Sequence, residues 1–383
     1  MTCETLTAAW LRMAVVAGLA ATAAVHAADL SELNRACAAA LDSGVVVDAR
    51  RECAKAANLA AEGGRSTPAA QTQAFDKMGD LSLLLAQNTE AETWYRRSLA
   101  VRERVNGRDS AEAAQSQESI GNALLRQGKL DDAEPLFTRS LTIRQTRFGA
   151  ASRDAANSLH SLGLLAMAQR KPAQAEDLFR RALAIREKLL AANDPLLGRT
   201  LSNVAVAVQA GKGVEAADPL YRQALVLQEV AVGADDISLL DTIDSLARVA
   251  VARGKLQDAE VFWRRSMAIR EAKLGAEHPA VAMVQNELGM LFVNARANAA
   301  AEEMFRKALA IRQKAFGVND LQVAEVSNNL GALLYTVGKI PESLPLLQHS
   351  ASVTYVALGA DNPVTKARWN NLQRVMSNLT PVR

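Results

Sequence analysis

The chain has 383 residues, with 44 basic side chains against 41 acidic ones and a formal charge of +3. So small a surplus over this length does not by itself suggest a polyanion partner. Hydrophobic residues make up 49% of the chain but aromatic residues only 4%, and Ala and Leu dominate; that is the palette of packed helices rather than sheets, so an all-α protein is expected.

At the N-terminus, Arg12 is followed by the apolar run MAVVAGLAATAA (13–24) and then by Val25-His26-Ala27. The run has the length of a secretory core and is too short to span a bilayer, and the small residues at −3 and −1 mark cleavage after Ala27. Residues 1–27 therefore read as a signal peptide, and the mature chain as exported and periplasmic. A buried helix at the start of a cytosolic domain is the alternative. No later stretch reaches the 18 or so apolar residues of a membrane span, so none is expected.

Residues 28–71 follow as a candidate cap. LSELNRACAAALDSGVVVDARRECAKAANLAAEGG (30–64) reads as two short helices joined near Ser43-Gly44. Once Cys3 has left with the signal peptide, Cys37 and Cys53 are the cysteines that remain, and an antiparallel hairpin sets them opposite each other. In an oxidising compartment a disulfide closing a loop of about 16 residues is expected, worth about 3 kcal/mol. Two buried thiols acting as small apolar side chains are the alternative.

From residue 72 the chain repeats. WYRRSLAVRE (94–103) returns as LFTRSLTIRQ (136–145), LFRRALAIRE (178–187), LYRQALVLQE (220–229), FWRRSMAIRE (262–271) and MFRKALAIRQ (304–313), with a faded copy in LLQHSASVTY (346–355). The step is 42 residues every time, which implies units that stack on their neighbours in a fixed geometry. Each unit holds two helical patterns. The first carries a small residue at Gly79, Gly121, Gly163, Ala205, Ala247, Gly289 and Gly331, and the second carries small residues around Tyr95, Phe137, Phe179, Tyr221, Trp263, Phe305 and Leu347. Small side chains at recurring positions let paired helices approach closely. Seven units are expected over 72–365, followed by a capping helix and tail over 366–383. The fourth copy carries two glycines in QAGKGVEAADP (209–219), which reads as a local loosening of the turn rather than a domain boundary.

The pattern of small, small, aromatic and small residues resembles the tetratricopeptide repeat, and the 42-residue period is similar to the longer-helix variant of kinesin light chains, in an exported bacterial form. The resemblance covers about residues 72–379. It implies a right-handed α-solenoid, a superhelix of antiparallel helix pairs.

The repeated arginines invite a basic-surface reading, which their neighbours oppose. Glu92, Glu176, Asp218, Glu260 and Glu302 each precede an arginine by four residues, the favourable orientation for helix ion pairs. The arginines of LFRRALAIRE accordingly read as a solvated, neutralised face, and no nucleic-acid partner is expected. The mature chain keeps His160, His278 and His349, far apart, and contains no HExxH, paired CxxC, phosphate loop or GxSxG motif. No catalytic residue, metal or cofactor is assigned on this basis.

The resemblance then directs attention to the first helices, which in tetratricopeptide arrays line a concave groove for a peptide. Carried over position by position, that stripe includes Arg199, Asn203, Arg248, Asn286, Asn328, Asn329, Asn370, Asn371 and Arg374, with Asn157 earlier. Asn is a poor helix former, so its recurrence in VSNNLGAL and RWNNLQRV is locally unfavourable and wants a reason. Contact with a bound peptide is one reason, and simple solvation in the groove is the other. The expected function is a scaffold or adaptor that binds a protein or peptide; the alternative is an accessory subunit that positions a catalytic partner in an envelope enzyme or secretion complex.

Overall fold

A computed structural model describes residues 30–62 and 66–379, and all of the regular structure in them is helical. The signal peptide expected over 1–27 lies outside the described residues. The chain forms two compact units, which meet in sequence between Ala191 and Ala192.

In the first unit the helices are α1 (described from 30 to 42), α2 (Val46–Ala61), α3 (Pro68–Leu84), α4 (Asn88–Asn106), α5 (Ala111–Arg126), α6 (Leu130–Phe148), α7 (Arg153–Ala168) and α8 (Pro172–Leu189). The second unit contains α9 (Pro195–Lys212), α10 (Val214–Val232), a 3-10 turn (Ile237–Leu239) leading into α11 (Leu240–Ala252), then α12 (Leu256–Leu274), α13 (Pro279–Asn294), α14 (Asn298–Phe316), α15 (Leu321–Thr336), α16 (Ile340–Leu358) and α17 (Pro363–Leu379). From α3 onward, within each unit, every odd-numbered first helix packs on the even-numbered second helix that follows, and each pair packs on the next, as in a tetratricopeptide-like solenoid.

Local chemistry fixes the boundaries. First helices start on a capping side chain: Ser110 accepts from the Ala113 N–H, Ser152 from Ala155, Asp194 from Leu196 and Asp320 from Gln322, each satisfying a donor that the helix leaves unpaired. His278, at the equivalent position, caps α13 by accepting from the Ala280 N–H through Nδ1. Second helices typically end on a glycine such as Gly149, whose φ of 89° few other residues adopt. Ala191 stands at that position after α8, which ends on an extended Leu190, and the division into units falls there.

Between paired helices the smallness of the repeated residues is a packing requirement. A Cβ placed on Gly121 would lie 2.7 Å from Cε1 of Phe137, so a side chain there would push the buried ring away from α5. Phe137 and its counterparts Phe179, Tyr221, Trp263 and Phe305 are all buried.

The fourth repeat corrects the expectation of a loosened turn. Three residues separate α5 from α6, but Gly213 alone separates α9 from α10. In the other repeats a left-handed residue such as Gly128, Gly254 or Gly338 closes α5, α11 or α15, with the Gly128 and Lys129 amides bonding back to Leu125 and Leu124. At the same position Lys212 stays helical, and the left-handed residue is Gly213, with φ 92°. α9 thus runs two residues further than α5 does in its repeat, through Gly211 and Lys212 to Gly213, and the connection is tighter than its neighbours.

At the N-terminal end α1 and α2 form the expected hairpin around Gly44. Cys37 and Cys53 are joined by a disulfide with a Cα–Cα distance of 4.6 Å. Both cysteines are fully buried and pack with Ala40, Ala49 and Ala57 against Met78 and Leu81 of α3, which covers the apolar face that the first repeat presents.

Candidate functional site

The second helices carry two kinds of arginine. The first kind behaves as expected: Arg96, Arg180, Arg222, Arg264 and Arg306 are exposed and pair with the acid four residues earlier, at 2.8–3.2 Å. Several of those acids are shared with the next repeat. Glu302 also accepts from Lys339 at 2.9 Å, and Arg306 also reaches Glu342 at 2.6 Å.

The arginine near the end of five of the motifs departs from the solvated reading; in LYRQALVLQE that position is Gln228. Arg144, Arg186, Arg270 and Arg312 are buried, and Arg102 is nearly so. Each occupies the interior between helix pairs, where an unpaired charge would be prohibitive and a hydrogen-bonded one is held in place. Arg102 donates to Asp76 at 2.6 Å and to Ser116 at 2.7 Å. Arg144 pairs with Glu118 and donates to Ser158 at 2.9 Å, while Arg270 pairs with Asp244 at 2.7 Å. In LFRRALAIRE the buried member is Arg186, which donates to Asn157 at 2.9 Å. The sequence signal for this column is an acid 26 residues before the arginine, at Asp76, Glu118 and Asp244, a correlation that counting charges within one helix does not reveal.

Asn286 and Asn328 continue that acid position into the last repeats, with an amide in place of the carboxylate. Arg312 accordingly finds its charge elsewhere, in Glu325 of α15 at 2.8 Å. The amides that replace the acids are linked through the neighbouring asparagines. Asn371 donates to Asn328 at 3.0 Å, Asn328 to Asn329 at 3.4 Å, and Asn329 to Asn286 at 3.0 Å. Four of the predicted groove asparagines are thus brought together as a chain running across α17, α15 and α13. They are neither simply solvated nor idle, and Asn286 is only 4% exposed. Arg199, Asn370 and Arg374 are exposed on α9 and α17 and stay outside the chain, and Asn203 is half-buried on α9. Arg248 is exposed, with its guanidinium 5.7 Å from the centre of the Trp263 ring.

Two recesses open between successive first helices of the second unit. One, of about 350 Å³, is lined by Val206, Gln209 and Ala210 of α9, Tyr221 of α10, and Ser245 and Arg248 of α11. The other, of about 460 Å³, is lined chiefly by Met290 and Val293 of α13 with Asn329, Ala332, Leu333 and Thr336 of α15. They are the same place in the repeat, two 42-residue steps apart. The first has Gln209, Ser245 and the basic Arg248 in its wall; the second is more apolar, with Arg296 and Asn298 also lining it.

Between them, on α13, lies Glu287. Burial pushes its carboxyl above the ordinary range; Arg248 opposes the shift, whereas Glu325 and Asp244 reinforce it. Tyr221, which donates to Gln209 at 2.9 Å, is also raised by burial. Among the described residues no group of His, Cys, Asp and Glu has the arrangement of a metal site, and no helix is long and apolar enough to cross a membrane.

Stacked antiparallel helix pairs with small-residue seams define a helical-repeat protein of the solenoid class. The tetratricopeptide repeat model matches residues 68–146, 154–229, 237–314 and 296–355, well over half of the chain, and the chain belongs to the tetratricopeptide repeat family. None of the curated proteins matches it. Among solved structures it is similar to the quorum sensor NprR from B. thuringiensis in its apo form, at 13% identity and a TM-score of 0.63, covering 85% of this chain and 87% of that one. A signal-transduction ATPase with a tetratricopeptide repeat sensor, from Pyrococcus horikoshii, gives 12% identity and 0.61, over 86% of this chain and 49% of that one. BtubC from P. vanneervenii gives 20% and 0.51, over 66% and 95%. At these identities the likeness is one of fold.

Proposed function

We propose that the chain is an exported adaptor whose second unit holds a segment of a partner protein along its first-helix stripe. The observation that carries this reading is the pair of open recesses between successive first helices, walled by exposed side chains such as Arg248, Met290 and Val293 that the packing does not consume. Concave sites with apolar walls and a few placed polar groups are where chains of this kind take ligands. The 42-residue period and second helices of 19 residues support placing the chain with the longer-helix variant of the family. Export rests on the N-terminal sequence pattern and agrees with a cysteine pair that is used as a disulfide.

The test is comparative capture. Wild-type chain and the double variant Arg248→Ala, Met290→Asp are immobilised and exposed to a periplasmic extract, and the retained proteins are identified. A partner held by the wild type and lost by the variant supports the stripe. Identical retention by both removes it as the binding surface. Fractionation of cells expressing the full chain tests export directly, and recovery in the cytosol at full length would contradict it.

A further inference from the structure

The two recesses are equivalent in the repeat, the first with Arg248 in its wall and the second more apolar, and the carboxylate between them is unspent. Among the described residues Glu287 makes no hydrogen bond or ion pair, whereas the neighbouring charges are committed: Asp244 to Arg270, and Glu325 to Arg312. Arg248 is the remaining cation near it, drawn over the Trp263 ring instead of closing on Glu287. The stripe therefore presents, in order along α11, α13 and α15, an exposed guanidinium, a free half-buried carboxylate and an apolar recess. Two opposite charges held apart on a surface select a complementary pair on whatever lies across them.

Resting on the peptide-binding reading above, we propose that the occupant is an extended segment carrying an acidic residue opposite Arg248, a basic residue opposite Glu287, and a large apolar residue seated among Met290, Val293 and Ala332. Successive first helices pack about 10 Å apart, so the two recesses are about 20 Å apart. An extended chain covers about 3.3–3.6 Å per residue. The acidic and apolar anchors are accordingly about six residues apart, with the basic residue near the middle. The carboxylate makes the pattern selective, because a uniformly acidic segment would set like charge against a group that burial already disfavours as an anion.

A random twelve-residue peptide library is selected on the full chain and read by position. The expected result is co-enrichment of Asp or Glu with Leu, Ile, Met or Phe five to seven positions away, with Lys or Arg between them. For the best selected peptide, fluorescence anisotropy should show at least about tenfold weaker binding to Arg248→Ala, to Glu287→Gln and to Met290→Asp, with the melting curves of all three variants recorded to show that they are folded. Reselection on Glu287→Gln should remove the preference for a basic residue alone. Peptides that bind and are lost on Arg248→Ala or Met290→Asp, but carry no such charge order, overturn this inference and leave the groove reading standing. Peptides indifferent to all three substitutions, or a library that yields no binder, overturn both.

Discussion

Asn329 of α15 donates its side-chain N–H to the Oδ1 of Asn286 on α13, 3.0 Å away and 43 residues earlier in the chain. The bond fills an acceptor that would otherwise be buried without one, so the recurring asparagines tie neighbouring repeats together. Removing Asn329 breaks two links of the chain of amides and leaves the Asn286 amide unsatisfied, which costs about 1–3 kcal/mol. Asn370→Ala, on the exposed face of α17, should stay within about 0.5 kcal/mol. Hydrogen exchange in α13 and α15 reads the difference; equal effects from the two substitutions would remove the amide chain's structural role.

The pair between Asp244 and Arg270 is the most enclosed ion pair described, with both side chains under one-tenth exposed. Asp244→Ala strands the arginine in the interior and should destabilise the second unit by about 3–5 kcal/mol, and adding Arg270→Met should restore most of it. A double-mutant cycle in urea measures the coupling. A second substitution that merely adds to the damage would show that the two side chains act independently.

Glu287 makes a pH-dependent prediction. Its carboxyl titrates above the ordinary range because of burial, so the folded state holds the proton more tightly than the unfolded state does. That favours folding at pH below the unfolded value, about 4.3, and the contribution is lost as pH rises through the raised one. Glu287→Gln should therefore melt at a higher temperature than wild type near pH 7, with the gap closing as pH falls towards 4. A gap that widens in acid would reverse the assignment.

Arg170 holds a φ of 59° where Gly128, Gly254 and Gly338 occupy the same turn position in other repeats. Left-handed backbone disfavours a residue with a Cβ by about 1–2 kcal/mol. Arg170 is exposed, so Arg170→Gly should raise stability by about 1 kcal/mol. A fall in the melting temperature of the first unit would contradict this.

Opening the disulfide between Cys37 and Cys53, by reductant or by the double substitution to Ala, should cost about 3 kcal/mol for a loop of this length. The loss should appear as early exchange in α1–α3. Exchange in α13–α17 that rose to the same extent would count against a local role.

The helix pairs were legible because a fixed 42-residue step exposes small and aromatic positions that local propensity alone leaves ambiguous, as Gly121 beside Phe137 illustrates. The exposed ion pairs, such as that of Glu260 with Arg264, follow from spacing within one helix. Arg186 reads as solvated for a related reason: charge at a helix end carries no sign of the helix that faces it, and its partner Asn157 lies on another helix. The candidate stripe was legible only as a set of positions. Which of its asparagines are spent on one another depends on distances between repeats, and so does the isolation of Glu287.

The single-residue connection at Gly213 bears on how such a chain diverges. By lengthening one helix at the expense of its turn, the fourth copy keeps the residue count of its neighbours while changing the join between its two helices. Counting therefore hides mechanical individuality, and a hinge or a stiffener can arise inside an apparently uniform array without any insertion to betray it.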